Sequence, residues 1–214
     1  MTTEEIKQKL HSTKSADRRR AAKEIGKLKL AEFADDLYKA YLKEATDKRT
    51  WETQVAMILA LGLLDYKKAL PEIEQIIKTN KPNDMITHAA AQSYVRLKRK
   101  SLNDASPALE LLKFGGLSTV DGCLNPLGYD KMHPDEGQIK ELIKLSWDLH
   151  KHKDRRGNEY GYDDPRYGLA AACAGWDKQL TKEFLEHCLA TANGDTPLEY
   201  VAENSLKGKY VKLR

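Results

Sequence analysis

Ile25-Gly26-Lys27-Leu28 and Leu61-Gly62-Leu63-Leu64 are two copies of one short block, 36 positions apart in a chain of 214 residues. The same interval relates three apolar pairs further along: Leu37 with Ala40, Ile73 with Ile76, and Leu109 with Leu112. A fixed period of this size is typical of stacked supersecondary units, each too small to bury its own apolar face. The repeat predicts how the chain is built, whereas its ligand depends on the side chains at the surface.

Apolar residues around each block recur at intervals of three and four, which indicates amphipathic helices. In the first unit they are Ala21, Ala22, Ile25 and Leu28. Helix start signals agree, since Thr2-Thr3-Glu4-Glu5 fits a capping box and Asp84 fits an N-cap. No stretch alternates between apolar and polar residues for long enough to indicate a strand. The sequence therefore predicts an all-α chain.

Small residues precede a glycine in three stretches: Arg19-Arg20-Ala21-Ala22-x-x-Ile25-Gly26, Ala56-x-x-x-Ala60-Leu61-Gly62 and Arg166-x-x-Leu169-Ala170-Ala171-x-x-Ala174-Gly175. They resemble HEAT-type repeats of the short bacterial kind, over most of residues 1–112 and 164–214. The resemblance implies a right-handed α-α superhelix, a HEAT-like solenoid of about five helical hairpins with irregular insertions. It also implies that first helices line a convex side and second helices a concave side, which such proteins mostly use to bind other proteins.

We expect a single HEAT-like α-solenoid domain over residues 1–214. Residues 1–112 form its regular repeats, 113–163 an irregular insert with one helix, and 164–214 the C-terminal repeats. Glycines and prolines between Phe114 and Pro134 predict a loop. One helix is expected from Pro134 to about His150, followed by a second irregular segment, Lys151–Asp163.

Composition indicates a soluble protein without a membrane segment. The 36 basic and 32 acidic residues give a net charge of +4, and no apolar run reaches the roughly 18 residues that span a bilayer. The polar N-terminus lacks a signal-peptide hydrophobic stretch. Three cysteines without a C-x-x-C pair predict reduced thiols in a cytoplasmic protein, with Cys123, in the predicted loop, as the most exposed.

Side chains that would indicate catalysis or metal binding are scarce. His150 and His152 are the one close histidine pair, and no nearby cysteine or paired acid completes a tetrahedral site. Phosphate-binding, dinucleotide-binding and Gly-x-Ser-x-Gly motifs do not occur. We therefore predict no catalytic residues, no metal and no cofactor, and a protein that is not an enzyme.

Three basic clusters, Arg18–Arg20, Arg96–Lys100 and Lys151–Arg156, could follow a phosphate backbone. Acidic residues interrupt the last of them, which suits a protein interface or an ion-pair network better. Solvated helix ends are the simplest alternative for all three clusters. A nucleic-acid-binding HEAT-like protein, similar to the DNA alkylation-repair proteins, is therefore the alternative to a protein-binding one.

The segment from Arg155 to Tyr167 is rich in tyrosine and arginine, residues that are enriched at binding hot spots. Its tyrosines are either an interface or a structural cover over Trp147 and Trp176. The predicted partner-binding residues are Arg155, Arg156, Tyr160, Tyr162, Arg166, Tyr167, Trp147 and Lys113. Supporting contacts are expected from the concave-helix positions Lys39, Lys43, Glu72 and Gln75. The predicted function is that of a non-enzymatic adaptor, inhibitor or immunity-type protein that grips a protein partner with its concave face and inter-repeat loops.

Overall fold

The computed structural model describes residues 1–81, 83–151 and 164–212, which contain twelve α-helices and no β-strand. The prediction of an all-α chain is confirmed for these ranges. None of the helices they contain combines the length and the apolar character that crossing a bilayer requires. The helices are α1 Thr3–Leu10, α2 Ser15–Leu28, α3 Ala34–Glu44, α4 Trp51–Leu63, α5 Leu70–Thr79, α6 Met85–Lys98, α7 Ser106–Phe114, α8 Leu117–Tyr129, α9 Glu136–Ser146, α10 Tyr167–Ala172, α11 Lys178–Thr191 and α12 Thr196–Leu206.

Five helices form a central row, in which α2, α4, α6, α8 and α10 each contact the next. A second set packs on this row, with α1 on α2, α3 on α4, α5 on α6 and α7 on α8. At the C-terminal end, α9 contacts both α7 and α11, while α12 packs on α10 and α11. In α6, ten of the fourteen residues are buried, because neighbours cover it on both sides of the row and from α5.

Small residues let the helices of the central row approach almost to backbone contact. A methyl group added at Gly62 of α4 would lie 2.8 Å from the Cα atom of Ser93 in α6. One added at Gly122 of α8 would lie 2.3 Å from the carbonyl oxygen of His88 in α6. At Gly168 of α10 it would lie 2.7 Å from the carbonyl oxygen of Leu124 in α8. A glycine thus stands at successive crossings of the row, where a side chain would force the helices apart.

Local start signals act as expected at α1 and α6. The Thr2 side chain accepts from the backbone N–H of Glu5, and the Glu5 carboxylate accepts from that of Thr2, which is a complete capping box. Asp84 caps α6 by accepting from the N–H of Thr87. At α12 the cap is Asp195, whose carboxylate accepts from the N–H of Leu198, so Thr196 is the first helical residue.

The prediction of a loop from Phe114 to Pro134 is wrong over most of its length, because α8 runs from Leu117 to Tyr129. Ten of the thirteen residues of α8 are buried, including Gly122 and Pro126. The glycine is present because α6 passes too close for a side chain, and the proline lies inside the helix near its C-terminal end. The described part of the predicted insert, residues 113–151, therefore contains both α8 and α9, where one helix was expected.

Candidate functional site

Four of the predicted partner-binding residues, Arg155, Arg156, Tyr160 and Tyr162, lie outside the described residues. The other four are placed in different surroundings. Lys113 is exposed on α7, where its Nζ atom lies 2.9 Å from the Oε1 atom of Glu141 in α9. Trp147, Arg166 and Tyr167 flank the segment 152–163 or follow it closely in the chain.

Arg166 is an interior residue and not a surface contact. Its side chain has no exposed area, and Asp164 is its partner, with Nε 2.9 Å from Oδ1 and Nη2 2.6 Å from Oδ2. The remaining nitrogen, Nη1, donates to Thr191 Oγ1 at 2.9 Å. All three nitrogens are therefore satisfied inside the protein. The arginine in this Asp-x-Arg turn fixes the start of α10 against α11, which corrects the expectation that it faces a partner.

Trp147 is half-buried at the end of α9 and is covered by His187 of α11. The two rings stack with centroids 4.3 Å apart and an angle of 9° between their planes. The tyrosines were also considered as a cover for Trp176. This residue is buried and donates its Nε1–H to the Met132 carbonyl at 2.7 Å. Protein atoms of the described ranges thus already cover part of both rings.

His187 also belongs to a group of possible metal ligands with Asp148 and His150. One ligand atom from each side chain lies within 4.8 Å of the others. Burial, together with the nearby Arg166 and His187, lowers the pKa of His150. The expectation of no metal rested on spacing along the chain, where His150 and His152 are the one close histidine pair, whereas His187 comes near His150 through the contact between α9 and α11.

An apolar groove opens between α2 and α4 and encloses ≈ 440 Å³. Its apolar edge is a row of side chains four residues apart on α4, namely Trp51, Val55, Leu59 and Leu63. Trp51 is 45% exposed, and the other three are half-buried. Its basic edge is the row Arg19, Lys23 and Lys27 on α2, with the same spacing. These seven residues define the α2–α4 groove.

Charge along the basic edge of the α2–α4 groove is only partly balanced. Arg19 pairs with Glu52 at the N-terminal end of α4. Lys23 and Lys27 are exposed, and neither forms an ion pair with another residue of the described ranges. The groove therefore combines an uncovered apolar stripe with two free positive charges beside it. The four-residue spacing from Trp51 to Leu63 was visible in the sequence, but only the structure shows that no helix of the described ranges covers this stripe.

In the first two basic clusters considered for nucleic acid, several arginines are paired with acids from other parts of the fold, and residues 152–156 of the third cluster lie outside the described residues. Arg18 binds the Glu44 carboxylate through Nε at 2.6 Å. Arg96 binds Asp130 through two nitrogens at 2.9 and 3.0 Å, and Arg99 binds the same carboxylate at 2.8 Å. Burial would raise the pKa of Asp130, but these two guanidinium groups outweigh it and hold that pKa below its usual value. These arginines therefore act first as links between helices.

All three cysteines are buried, so the expectation that Cys123 is the most exposed thiol is wrong. Cys123 lies on α8, where the predicted loop is a helix, and burial raises its thiol pKa. Burial likewise raises the pKa of Cys188 to about 12. Because only the thiolate reacts rapidly, we expect no thiol of the native protein to react with Ellman's reagent within minutes at pH 8. All three should react in guanidinium chloride, and a fast native thiol would contradict the structure.

No protein-family model and no curated protein matches the chain. Among solved structures, the chain is similar to an engineered protein from the Northeast Structural Genomics Consortium, at 15% identity and a TM-score of 0.41. That match covers 97% of this chain and 98% of the other. A TM-score this low leaves the function to be argued from the chain's own surfaces.

Proposed function

We propose that the protein is a non-enzymatic, HEAT-like α-solenoid that binds another protein, as an adaptor, inhibitor or immunity-type protein would. The row of central helices with a second set packed on it supports the stacked helix pairs that the resemblance to HEAT-type repeats implies. The proposed contact surface is the α2–α4 groove. Its occupant is an amphipathic helix of a protein partner that carries acidic residues along one edge.

The observation that carries this proposal is the uncovered stripe on α4 beside the free lysines on α2. An amphipathic helix places apolar residues at intervals of three and four along one face, so it can pack along a stripe whose side chains are four residues apart. Trp51, at 45% exposure, is the kind of large rigid side chain that dominates binding energy. Acidic residues on the partner would meet Lys23 and Lys27, which fixes its orientation and favours rapid association.

The test compares proteins captured by the full chain and by groove variants. Trp51→Ala should weaken the recovered complex about 30-fold in Kd, the change expected for loss of a hot spot of about 2 kcal/mol. Lys23→Glu with Lys27→Glu should slow association and remove its salt dependence. Leu42→Ala is the matched control, because Leu42 is 42% exposed but lies on α3.

Isothermal titration calorimetry with the purified partner gives the affinities. A partner that binds Trp51→Ala and wild type equally well would exclude the α2–α4 groove. If the same partner were lost when Lys39 and Lys43 of α3 are replaced, the concave face predicted from the sequence would be the contact surface instead. Circular dichroism of each variant confirms that its helices are intact.

One surface feature supports the alternative of nucleic-acid binding. A cavity of ≈ 630 Å³ between the ends of α4, α6 and α8 is lined by several basic side chains. Arg96 and Arg99 form ion pairs with Asp130. The other basic residues that line this cavity are Lys29, Lys100 and Lys131. Retention of DNA that falls steeply between 50 and 200 mM salt, by about 10-fold or more, and disappears in Lys29→Glu/Lys100→Glu would favour this alternative.

A further inference from the structure

A carboxylate and two imidazoles converge at the junction of α9 and α11, away from the α2–α4 groove. Asp148 and His150 lie on either side of the buried Leu149, in the turn that follows α9. His187 reaches them from the middle of α11. One ligand atom from each side chain lies within 4.8 Å of the other two. Two residues on one turn and a third on a separate helix form a set that only the tertiary fold assembles.

We propose that Asp148, His150 and His187 bind a divalent first-row transition-metal ion, with Zn²⁺ as the natural candidate. Imidazole nitrogen and carboxylate oxygen are ligands that Zn²⁺ takes at about 2.0–2.2 Å, and a tetrahedral site places them about 3.3 Å apart. The three ligand atoms therefore have to approach one another by about 1.5 Å at most. Asp148 is exposed, so rotation of its side chain is enough to supply much of this change.

The groups around His187 fix its tautomer and hold its ring in place. Its Nε2 atom lies 3.1 Å from the carbonyl oxygen of Trp147, an acceptor, so this nitrogen carries the proton. The other nitrogen, Nδ1, is then left with the free electron pair. A histidine that donates one N–H to a backbone carbonyl while its other nitrogen faces the metal is the usual outer-shell arrangement. Stacking on the Trp147 ring holds the imidazole in this position.

His150 provides a second, independent observation. Its Nδ1 atom is buried and has no hydrogen-bond partner within the described ranges. A buried polar nitrogen of this kind needs a partner, and an ion or an ordered water is the common one. Arg166 also lies near His150, and the ion pair that it forms with Asp164 offsets part of its positive charge.

Lys151 is the competitor for the carboxylate, with its Nζ atom 2.6 Å from Asp148 Oδ1. Both side chains are more than half exposed. An exposed pair of this kind contributes little, so a metal ion displaces the lysine readily. Three protein ligands leave a fourth position of the tetrahedron for water or for a group from another molecule. The exposure of Asp148 places that position toward solvent.

The experiment titrates ZnCl2 into the full chain, freed of metal with a chelator, and follows binding by calorimetry. We expect one ion per chain, and Co²⁺ in its place should give the visible absorption of a tetrahedral site. Asp148→Asn, His150→Gln and His187→Gln should each weaken Zn²⁺ binding. Loss of an outer-shell partner alone costs about 10–100-fold in metal affinity, so the loss of a ligand should cost at least as much. His11→Gln, an exposed histidine at the end of α1, is the control and should bind as wild type does.

Lys151→Ala separates a metal site from a merely structural cluster. Removal of the competing ammonium group should strengthen Zn²⁺ binding, which a general loss of folding would not do. If His187→Gln fails to fold, Asp148→Asn still tests the metal site, because a substitution at the exposed Asp148 should leave folding intact. Absence of one-to-one binding, or binding that none of the three ligand variants weakens, would overturn the proposal.

Discussion

Asp164→Ala should lower the free energy of unfolding by about 3–5 kcal/mol, because it leaves the guanidinium of Arg166 buried without a counter-charge. The Arg166 side chain has no exposed area, and Asp164 accepts from two of its nitrogens. Arg166→Ala should cost a similar amount, since it removes the same pair and leaves a cavity. Urea denaturation followed by circular dichroism at 222 nm measures both.

Two further variants test the physical reason for this loss. The double variant Asp164→Ala/Arg166→Met removes both charges and keeps much of the volume, so it should recover part of the stability lost in the single variants. Arg49→Ala breaks an exposed ion pair with Asp47 and should change stability little. If both single variants at the buried pair unfolded at the same urea concentration as wild type, the pair would not organise this end of the molecule.

Gly122→Ala should destabilise the protein by at least about 2 kcal/mol, although alanine favours a helix more than glycine does. The new methyl group would lie 2.3 Å from the His88 carbonyl oxygen and 2.9 Å from the Ala91 Cβ atom, so α6 and α8 would have to separate. Gly168→Ala should act in the same way between α8 and α10, where the obstructing atoms are also backbone. Thermal and urea unfolding give the loss of stability.

Gly137→Ala is the matched control for these glycine variants. Gly137 is exposed on α9, and its added methyl group would approach only the carboxylate of Asp135, at 3.2 Å. This variant should be neutral or more stable by up to about 1 kcal/mol, because alanine restricts the unfolded chain and favours the helix. Equal stability of Gly122→Ala and Gly137→Ala would show that the central row is more loosely packed than the distances at Gly122 indicate.

Sequence reasoning predicted helices best where apolar spacing and start signals agreed, as in the Thr2 capping box and the Asp84 cap. It failed at α8, because Gly122 and Pro126 are also the residues expected in a loop. Glycine has two uses, at turns and at close helix contacts, and a single sequence does not separate them. Only the proximity of α6 shows which use applies at Gly122.

The candidate sites could be predicted only in part, because they depend on which faces the fold covers. The spacing of Trp51 and its successors on α4 was visible, but whether a neighbouring helix covers that stripe is a property of the packing. Arg166 was expected at the surface because a loop rich in tyrosine and arginine precedes it, and its burial follows from the contacts with Asp164 and Thr191. His187 lies 37 positions beyond His150, which no local pattern connects.

The burial of α6 on nearly all sides also affects how the chain is made. During synthesis, α6 leaves the ribosome after α4 but before α8, which supplies one of its two long contacts in the row. Until α8 has also emerged from the ribosome, the alanine-rich surface of α6 that it will cover is open to water and to other nascent chains. The nascent chain thus passes through an interval of exposed apolar surface that ends only when α8 docks.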